Sequence, residues 1–476
     1  MNKFLTCFHP RFAASLVYML QASDYDAREY LAWFWRTQDF RRVASRGQLD
    51  LTLKARLLLG FVYCTILFQA IVLIAMLVPG FTQPLWLIAA ASFLAVAPLI
   101  SAYSLLAVLW LGRVTVQSRR ERAVIEQARG RLKQHPGFRL AIAGSYGKTT
   151  VKEILQTVLA EAKNVAATPG NMNTPLGISR FIADLKGDED VLIFELGEYY
   201  PDDIASLCEL VRPQMGIITG INEAHLSKFK TLDRTAATIF ELSDYLGELP
   251  VYKNGDNALV KARIAPDDLL AYSAGGVNGW IVSDVTVDVN ATSFTAQKDD
   301  IEISAKSQLL GRQHIGPLVA TIDIAHDMGL TANQIISGIA KTRPYEHRMQ
   351  PRQLAGAWVI DDTYNGNSDG VKAGLAWLAT VEAKRRIYVT PGLVEQGSQT
   401  GEVHRGIGRQ IAPVADIVVL IQNSVTKHIQ RGLTEANYMG ELIIVDDPKN
   451  FYVNIEHFVA AGDVVLMQND WTDNYA

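Results

Sequence analysis

The chain has 476 residues, of which 49% are hydrophobic and 20% charged, and a formal net charge of −4. That length is too great for one core and predicts two or three domains, while the near-balanced charge gives no whole-chain electrostatic case for a nucleic-acid partner. Three widely spaced cysteines, Cys7, Cys64 and Cys208, form neither a disulfide framework nor a CxxC zinc site, so a reducing compartment is expected for the globular part.

Residues 1–133 predict a membrane region. The first apolar stretch, FAASLVYML, is short, follows Pro10 and Arg11 and lacks a small-residue cleavage site, which argues against a cleaved signal peptide. In EYLAWFWRTQDFRR, Trp33, Phe34 and Trp35 lie beside basic residues, the pattern of a helix at a membrane interface or, equally, of a packed aromatic cluster. Residues 57–78 carry no charge, and about 20 such residues in a helix cross a bilayer core. Residues 86–111 form a second uncharged run, with Pro98 inside it, joined to the first by the short connection PGFTQPL. Arg41, Arg42, Arg46, Lys54 and Arg56 precede the pair, and Arg113, Arg119, Arg120 and Arg122 follow it. The positive-inside rule then predicts a transmembrane helical hairpin in the inner membrane, with both ends and the globular domains on the cytoplasmic side. A buried helical hairpin in a soluble protein is the competing expectation.

Residues 134–342 predict a central α/β domain. FRLAIAG reads as a buried strand, GSYGKTT as a glycine loop and VKEILQTVLAEA as a helix. In that context the backbone N–H groups of Gly144, Ser145, Tyr146, Gly147, Lys148, Thr149 and Thr150 can cradle phosphate. Lys148 would neutralise it and Thr149 would hold Mg2+. The longer pattern GxxxxGK[ST] is not met, because Ile142 stands at its first glycine; the compact GxxGKT[TS] is. VLIFELG places Glu195 at the end of a second apolar strand, where carboxylates meet nucleotide-bound metals, although a lone Glu there also serves as a helix cap. MGIITGINEAHL ends a third strand, with Asn222 and His225 in the following loop. β-rich material from residue 279 to 307 is inserted before the domain ends.

Residues 343–476 alternate apolar strands (AWVIDD, RRIYVT, DIVVLI, ELIIVDD, DVVLMQ) with helical stretches, predicting a small doubly wound domain. Ligands in such folds lie at the carboxyl ends of strands, so one interdomain cleft is expected to collect Glu195, His225 and Asp362.

AIAGSYGKTTVKEIL, TPGNMNTPLGI, FELGEYYPDDI, RPQMGIITGINEAHLSKF, TRPYEHRM and IDDTYNGNSDGVKAGLAWLA occur in the order and spacing of the Mur ligases. The resemblance runs from about Phe138 to the C-terminus and is strongest to the MurF-type branch. It implies a P-loop ATPase-like central domain and a Rossmann-like C-terminal domain. It further implies an ADP-forming ligase that uses ATP and Mg2+ to turn a carboxylate into an acyl phosphate, which an amine then attacks. By the same resemblance Lys148 is the phosphate-loop lysine, Thr149 a metal ligand, and Glu195 with His225 the pair at a second Mg2+. Arg348 and Asp362 would fix the nucleotide from the domain junction. Asn171, Asn173, Thr174, Tyr364, Asn365, Asn367 and Glu395 would face the substrates. The implied partners are a cell-wall peptide precursor, UDP- or lipid-linked, and an amino acid or dipeptide. No general base is assigned; His404 is a candidate, with a surface histidine as the alternative.

Several positions depart from the family pattern. The membrane hairpin occupies the place of the UDP-binding domain, which makes a lipid-linked acceptor worth testing. Ala236 stands at the lysine that many Mur ligases carbamylate. Pro317 and Gln313 replace an asparagine and a histidine near the adenine, and TPGLVEQGS replaces the usual G-D-M-x-E-L-G while keeping Glu395 and Gly397. A poly-γ-glutamate synthetase-like ligase and an inactive nucleotide-binding membrane scaffold are the alternatives.

Overall fold

The computed structural model describes residues 3–23, 25–43, 48–80, 83–112, 118–170, 172–223, 229–364, 366–394, 396 and 399–469. The chain divides into two compact units, one ending at Arg122 and the other spanning Ala123–Asp470.

The first unit is helical: α1 (Lys3–Thr6), α2 (Phe12–Ala22), α3 (Ala27–Arg36), α4 (Leu53–Gly80) and α5 (Pro84–Gly112). Its longest helices, α4 and α5, pair as a hairpin and extend a few residues beyond the predicted spans. Both are long and apolar enough to cross a bilayer, with mean hydropathies of 2.5 and 2.1 in their most apolar windows. Leu57, Leu67, Phe68, Ile71 and Ile88 point outward and are mostly exposed. Inside the hairpin, Gln69 donates to Ala97 O (3.1 Å) and Ser101 Oγ (3.2 Å), so a polar group among apolar neighbours is satisfied. Trp33 and Phe34 pack with Tyr18 and Phe40 in the core of this unit, while Trp35 is exposed and donates to Tyr103 Oη. The aromatic run therefore contributes two residues to a core and one to the surface.

α6 (Ser118–Gln134), most of which belongs to the second unit, leads to β1 (Phe138–Ala143), which the loop 144–147 joins to α7 (Lys148–Leu159). The chain continues through β2 (Val165–Ala167), α8 (Pro175–Asp184), β3 (Val191–Glu195), α9 (Asp203–Val211), β4 (Met215–Ile218), β5 (Val251–Asn254) and β6 (Ala271–Tyr272). These strands form a parallel sheet in the order β2-β3-β1-β4-β5-β6. Every residue of β3 is buried, the continuous apolar run expected of a strand covered on both faces. Because β1 lies between β3 and β4, its loop opens into the crevice between connections running to opposite sides, where ligands of such sheets bind.

The inserted β-rich segment is an antiparallel sheet of β7 (Gly276–Val277), β8 (Trp280–Val287), β9 (Thr292–Lys298) and β10 (Ile301–Ser307). The remaining strands are β11 (Gln350–Leu354), β12 (Ala357–Asp362), β13 (Arg386–Thr390), β14 (Ile417–Ile421), β15 (Glu441–Val445) and β16 (Val464–Gln468). Their order is β11-β12-β16-β13-β14-β15, parallel except for the antiparallel edge strand β11. The last strand thus inserts beside β12 and brings Gln468 next to Asp362 in register.

Candidate active site

Local sequence shapes the loop after β1. Gly144 (φ +146°) and Gly147 (φ +77°) take left-handed backbone that a side chain rarely adopts, and a Cβ on Gly144 would collide with Thr219 Oγ1. Ser145 N donates to Gly220 O (2.8 Å), and Thr219 Oγ1 donates to the carbonyl of Tyr146, pinning the loop to the end of β4. The Tyr146 ring packs on Gly220, and its hydroxyl accepts from Asn257 Nδ2 (3.1 Å). Gly147 caps α7 with no side chain in the way, leaving the first N–H groups of a 12-residue helix facing the loop.

Behind the loop lies a buried charge network. Lys148 Nζ donates to both oxygens of Glu198 (2.8 and 3.0 Å) and to the carbonyl of Gly144. Thr149 Oγ1 donates to Glu195 Oε2 (3.0 Å). Lys152, fully buried on the inner face of α7, reaches the same Glu195 oxygen (3.2 Å) and Gly170 O (2.7 Å). Asn173 Nδ2 donates to Glu195 Oε1 (3.3 Å). Removal from water pushes the Glu198 carboxyl upward, partly offset by Lys148. Sequence reasoning missed both Glu198 and Lys152. Each carried a signal: a charge three residues beyond a buried strand's end, and a lysine among the apolar positions Val151, Ile154 and Leu155 of α7.

On the other side of the loop is a cleft of about 510 Å3. Tyr146, Gly147 and Thr150 line it from the phosphate-loop side; Arg348, Asp362, Tyr364 and Asn367 line it from the C-terminal sheet. Asp362 accepts from Met349 N (3.1 Å) and from Gln468 Nε2 (2.7 Å). Desolvation raises its carboxyl to about 6, against the opposing pull of those donors and of Arg348. The Arg348 guanidinium stacks over the Tyr364 ring at 4.8 Å, and its Nε is buried without a partner, a donor left for a ligand. His314, a cleft residue not singled out in the sequence, is lowered to about 4 by desolvation and is neutral at physiological pH. From the central domain, Glu223 accepts from Ser368 (2.8 Å), which joins the two domains at the cleft's edge.

The expectation that one cleft gathers Glu195, His225 and Asp362 needs correction. Asp362 lines the cleft, but Glu195 is only 3% exposed and is absorbed by Thr149, Lys152 and Asn173 behind the phosphate loop. His225, Asn171, Asn365 and Glu395 lie outside the described residues. Thr174 and Asn367 are helix N-caps, accepting from Gly177 N (3.2 Å) and Gly370 N (2.9 Å). His404 is buried rather than at the surface, with Nδ1 on Thr400 O (2.6 Å) and Nε2 accepting from Leu393 N (2.9 Å). That leaves it no free nitrogen for base catalysis. Ala236 packs inside the apolar cluster around Ile239 and Leu242, and its helix, Leu232–Leu246, contains no lysine.

The donor set fits Mg2+: a hydroxyl and a carboxylate oxygen 3.0 Å apart, hard ligands beside the glycine loop. Among the described residues no three His, Cys, Asp or Glu side chains converge as a ready-made site.

Two segments of the chain resemble domains of known proteins. Residues 142–325 match the Mur ligase middle domain, and residues 347–468 match the Mur ligase glutamate ligase domain. A UDP-N-acetylmuramoyl-tripeptide--D-alanyl-D-alanine ligase from Escherichia coli is 27% identical over 281 residues, 58% of this chain and 62% of that one. Its Mycobacterium tuberculosis counterpart is 29% identical over 281 residues, 57% and 55% of the two chains. The chain therefore spans less than two thirds of the length of these curated relatives. Among solved structures, MurF from Acinetobacter baumannii superposes with a TM-score of 0.64 at 20% identity, over 73% of this chain and 77% of the other. MurF ligase from Thermotoga maritima in complex with ADP gives 0.62 at 25% identity, over 74% and 80%.

Proposed function

Because this chain belongs to the Mur ligase family, we propose that it is an ATP-dependent, ADP-forming carboxylate–amine ligase of the MurF type. Its substrates in this reading are a muramoyl peptide precursor and D-alanyl-D-alanine or a similar amine. The observation that carries the reading is the phosphate loop at the end of β1, which presents Lys148 and Thr149 beside the buried carboxylate of Glu195. Tyr146, Gly147 and Thr150 of the same loop face Asp362 and Arg348 across the cleft.

Amide formation from a free carboxylate is uphill, so ATP must first convert the carboxylate to an acyl phosphate; the amine then displaces phosphate. The α7 N-terminus and Lys148 would hold the terminal phosphates. Thr149 and Glu195, with His225, would hold Mg2+, which when bound offsets the charge crowding between carboxylate and triphosphate. Arg348 and Asp362 would grip the nucleotide from the C-terminal side, with Asn222 at the junction. Asn171, Asn173, Thr174, Tyr364, Asn365, Asn367 and Glu395 would face the acceptor and amine. Closure of residues 343–476 onto residues 134–342 would keep water from the acyl phosphate.

For residues 1–133 the proposal is an inner-membrane anchor, multi-pass through α4 and α5, with the ligase domains cytoplasmic. Outward-facing leucine and isoleucine on both helices support it, as do the basic flanks. Detergent-solubilised protein with Mg-ATP tests the reading through ADP release. Turnover that requires both UDP-muramoyl tripeptide and D-alanyl-D-alanine is expected. Turnover with glutamate alone would move the chain to the poly-γ-glutamate synthetases, and silence with every acceptor, lipid-linked ones included, would favour a scaffold.

A further inference from the structure

The phosphate-loop lysine is not free to meet a nucleotide. Lys148 Nζ sits between the Gly144 carbonyl and both oxygens of Glu198, at 2.8 and 3.0 Å, and Glu198 is 3% exposed. A phosphate arriving at the α7 N-terminus draws Lys148 toward itself. Glu198 is then left as a buried anion beside a polyphosphate, and two such charges repel strongly in a site shielded from water. Among the described residues the neighbouring lysine does not relieve it, because Lys152 is committed to Glu195 and to the Gly170 carbonyl. A divalent cation carried in with the phosphates would: it brings positive charge to the same end of α7, where Thr149 and Glu195 bond to each other at 3.0 Å and could turn hard oxygens to a metal.

We infer that Glu198 is a specificity-determining residue that makes the site select the metal–nucleotide complex over free nucleotide. It parks Lys148 while the site is empty and penalises any nucleotide that arrives without its metal. This rests on the nucleotide-site reading above and adds to it a residue that the sequence motif does not contain.

The test is ADP affinity of the full-length, detergent-solubilised protein, measured by calorimetry with Mg2+ and again with EDTA. The wild type is expected to bind Mg-ADP much more tightly than ADP. In Glu198→Gln the ratio of the two affinities should fall by about tenfold or more, chiefly because metal-free ADP binds better. Glu198→Ala should show the same collapse, and Glu198→Asp, which keeps the charge, should retain the wild-type preference. An unchanged ratio in a folded Gln or Ala variant overturns the assignment, because a merely structural pair would not read the metal. A wild type that binds ADP under neither condition overturns the nucleotide-site reading instead.

Discussion

Lys152 Nζ lies 3.2 Å from Glu195 Oε2, with the lysine side chain wholly buried and the carboxylate nearly so. The pair ties α7 to the end of β3 and holds the carboxylate behind the phosphate loop. Burying two charges gains little net stability, but removing one leaves the other uncompensated. Lys152→Ala is therefore expected to destabilise the protein by about 3–5 kcal/mol. Lys152→Ala combined with Glu195→Gln should recover much of that loss. Denaturant midpoints of wild type, Lys152→Ala, Glu195→Gln and the double variant check it; additive effects would mean that the pair is not coupled.

Lys148→Met should lower ADP formation by about 100-fold or more, since it removes the lysine that in the proposed reading moves to the phosphates. It also strands Glu198, so the single variant should unfold at lower temperature than wild type. Adding Glu198→Gln should restore stability without restoring turnover. Parallel recovery of both would show that Lys148 matters only as a counter-ion.

Asp362 gives a pH signature. Its carboxyl titrates near 3.8 when unperturbed and near 6 in the folded cleft, so the folded state holds the proton more tightly. The stability this group contributes is complete below its unfolded pKa and is lost as pH rises to the folded one, a change of about 3 kcal/mol. Wild type should therefore lose stability relative to Asp362→Asn between about pH 4 and pH 6. Urea unfolding across that window measures it, and a flat difference would refute the raised value.

The hairpin reading turns on side chains that face outward. Leu67 and Ile71 are 63% and 57% exposed. If they meet lipid, replacing both with lysine should cost about 2.5–3.5 kcal/mol each at mid-membrane and shift protein out of the membrane fraction. If they meet water, the same change should leave fractionation unaltered and improve solubility.

What was legible in the sequence was local. Strand, glycine loop and helix at residues 138–159 follow from an apolar run, two glycines in left-handed backbone and a 3.6-residue periodicity, all within one stretch of chain. The two long apolar helices and the β-rich insertion followed likewise from composition and length. Thr174 and Asn367 sit where the motifs put them, yet their side chains cap helices. Sequence spacing locates a residue without saying which donor it will find.

By itself, then, the sequence determined which segments become strands, which loop carries the left-handed glycines before α7 and which residues stand at strand ends, because those depend on neighbours in the chain. Only the tertiary structure decided the partnerships. Lys148 meets Glu198 because β1 and β3 lie side by side, and Asp362 meets Gln468 because the last strand inserts between β12 and β13. These contacts span 50 and 106 residues of chain, and the physical reason they escape a linear reading is strand order. A buried charge takes whichever partner the sheet places within reach, and strand order is fixed by long-range packing rather than by local pattern.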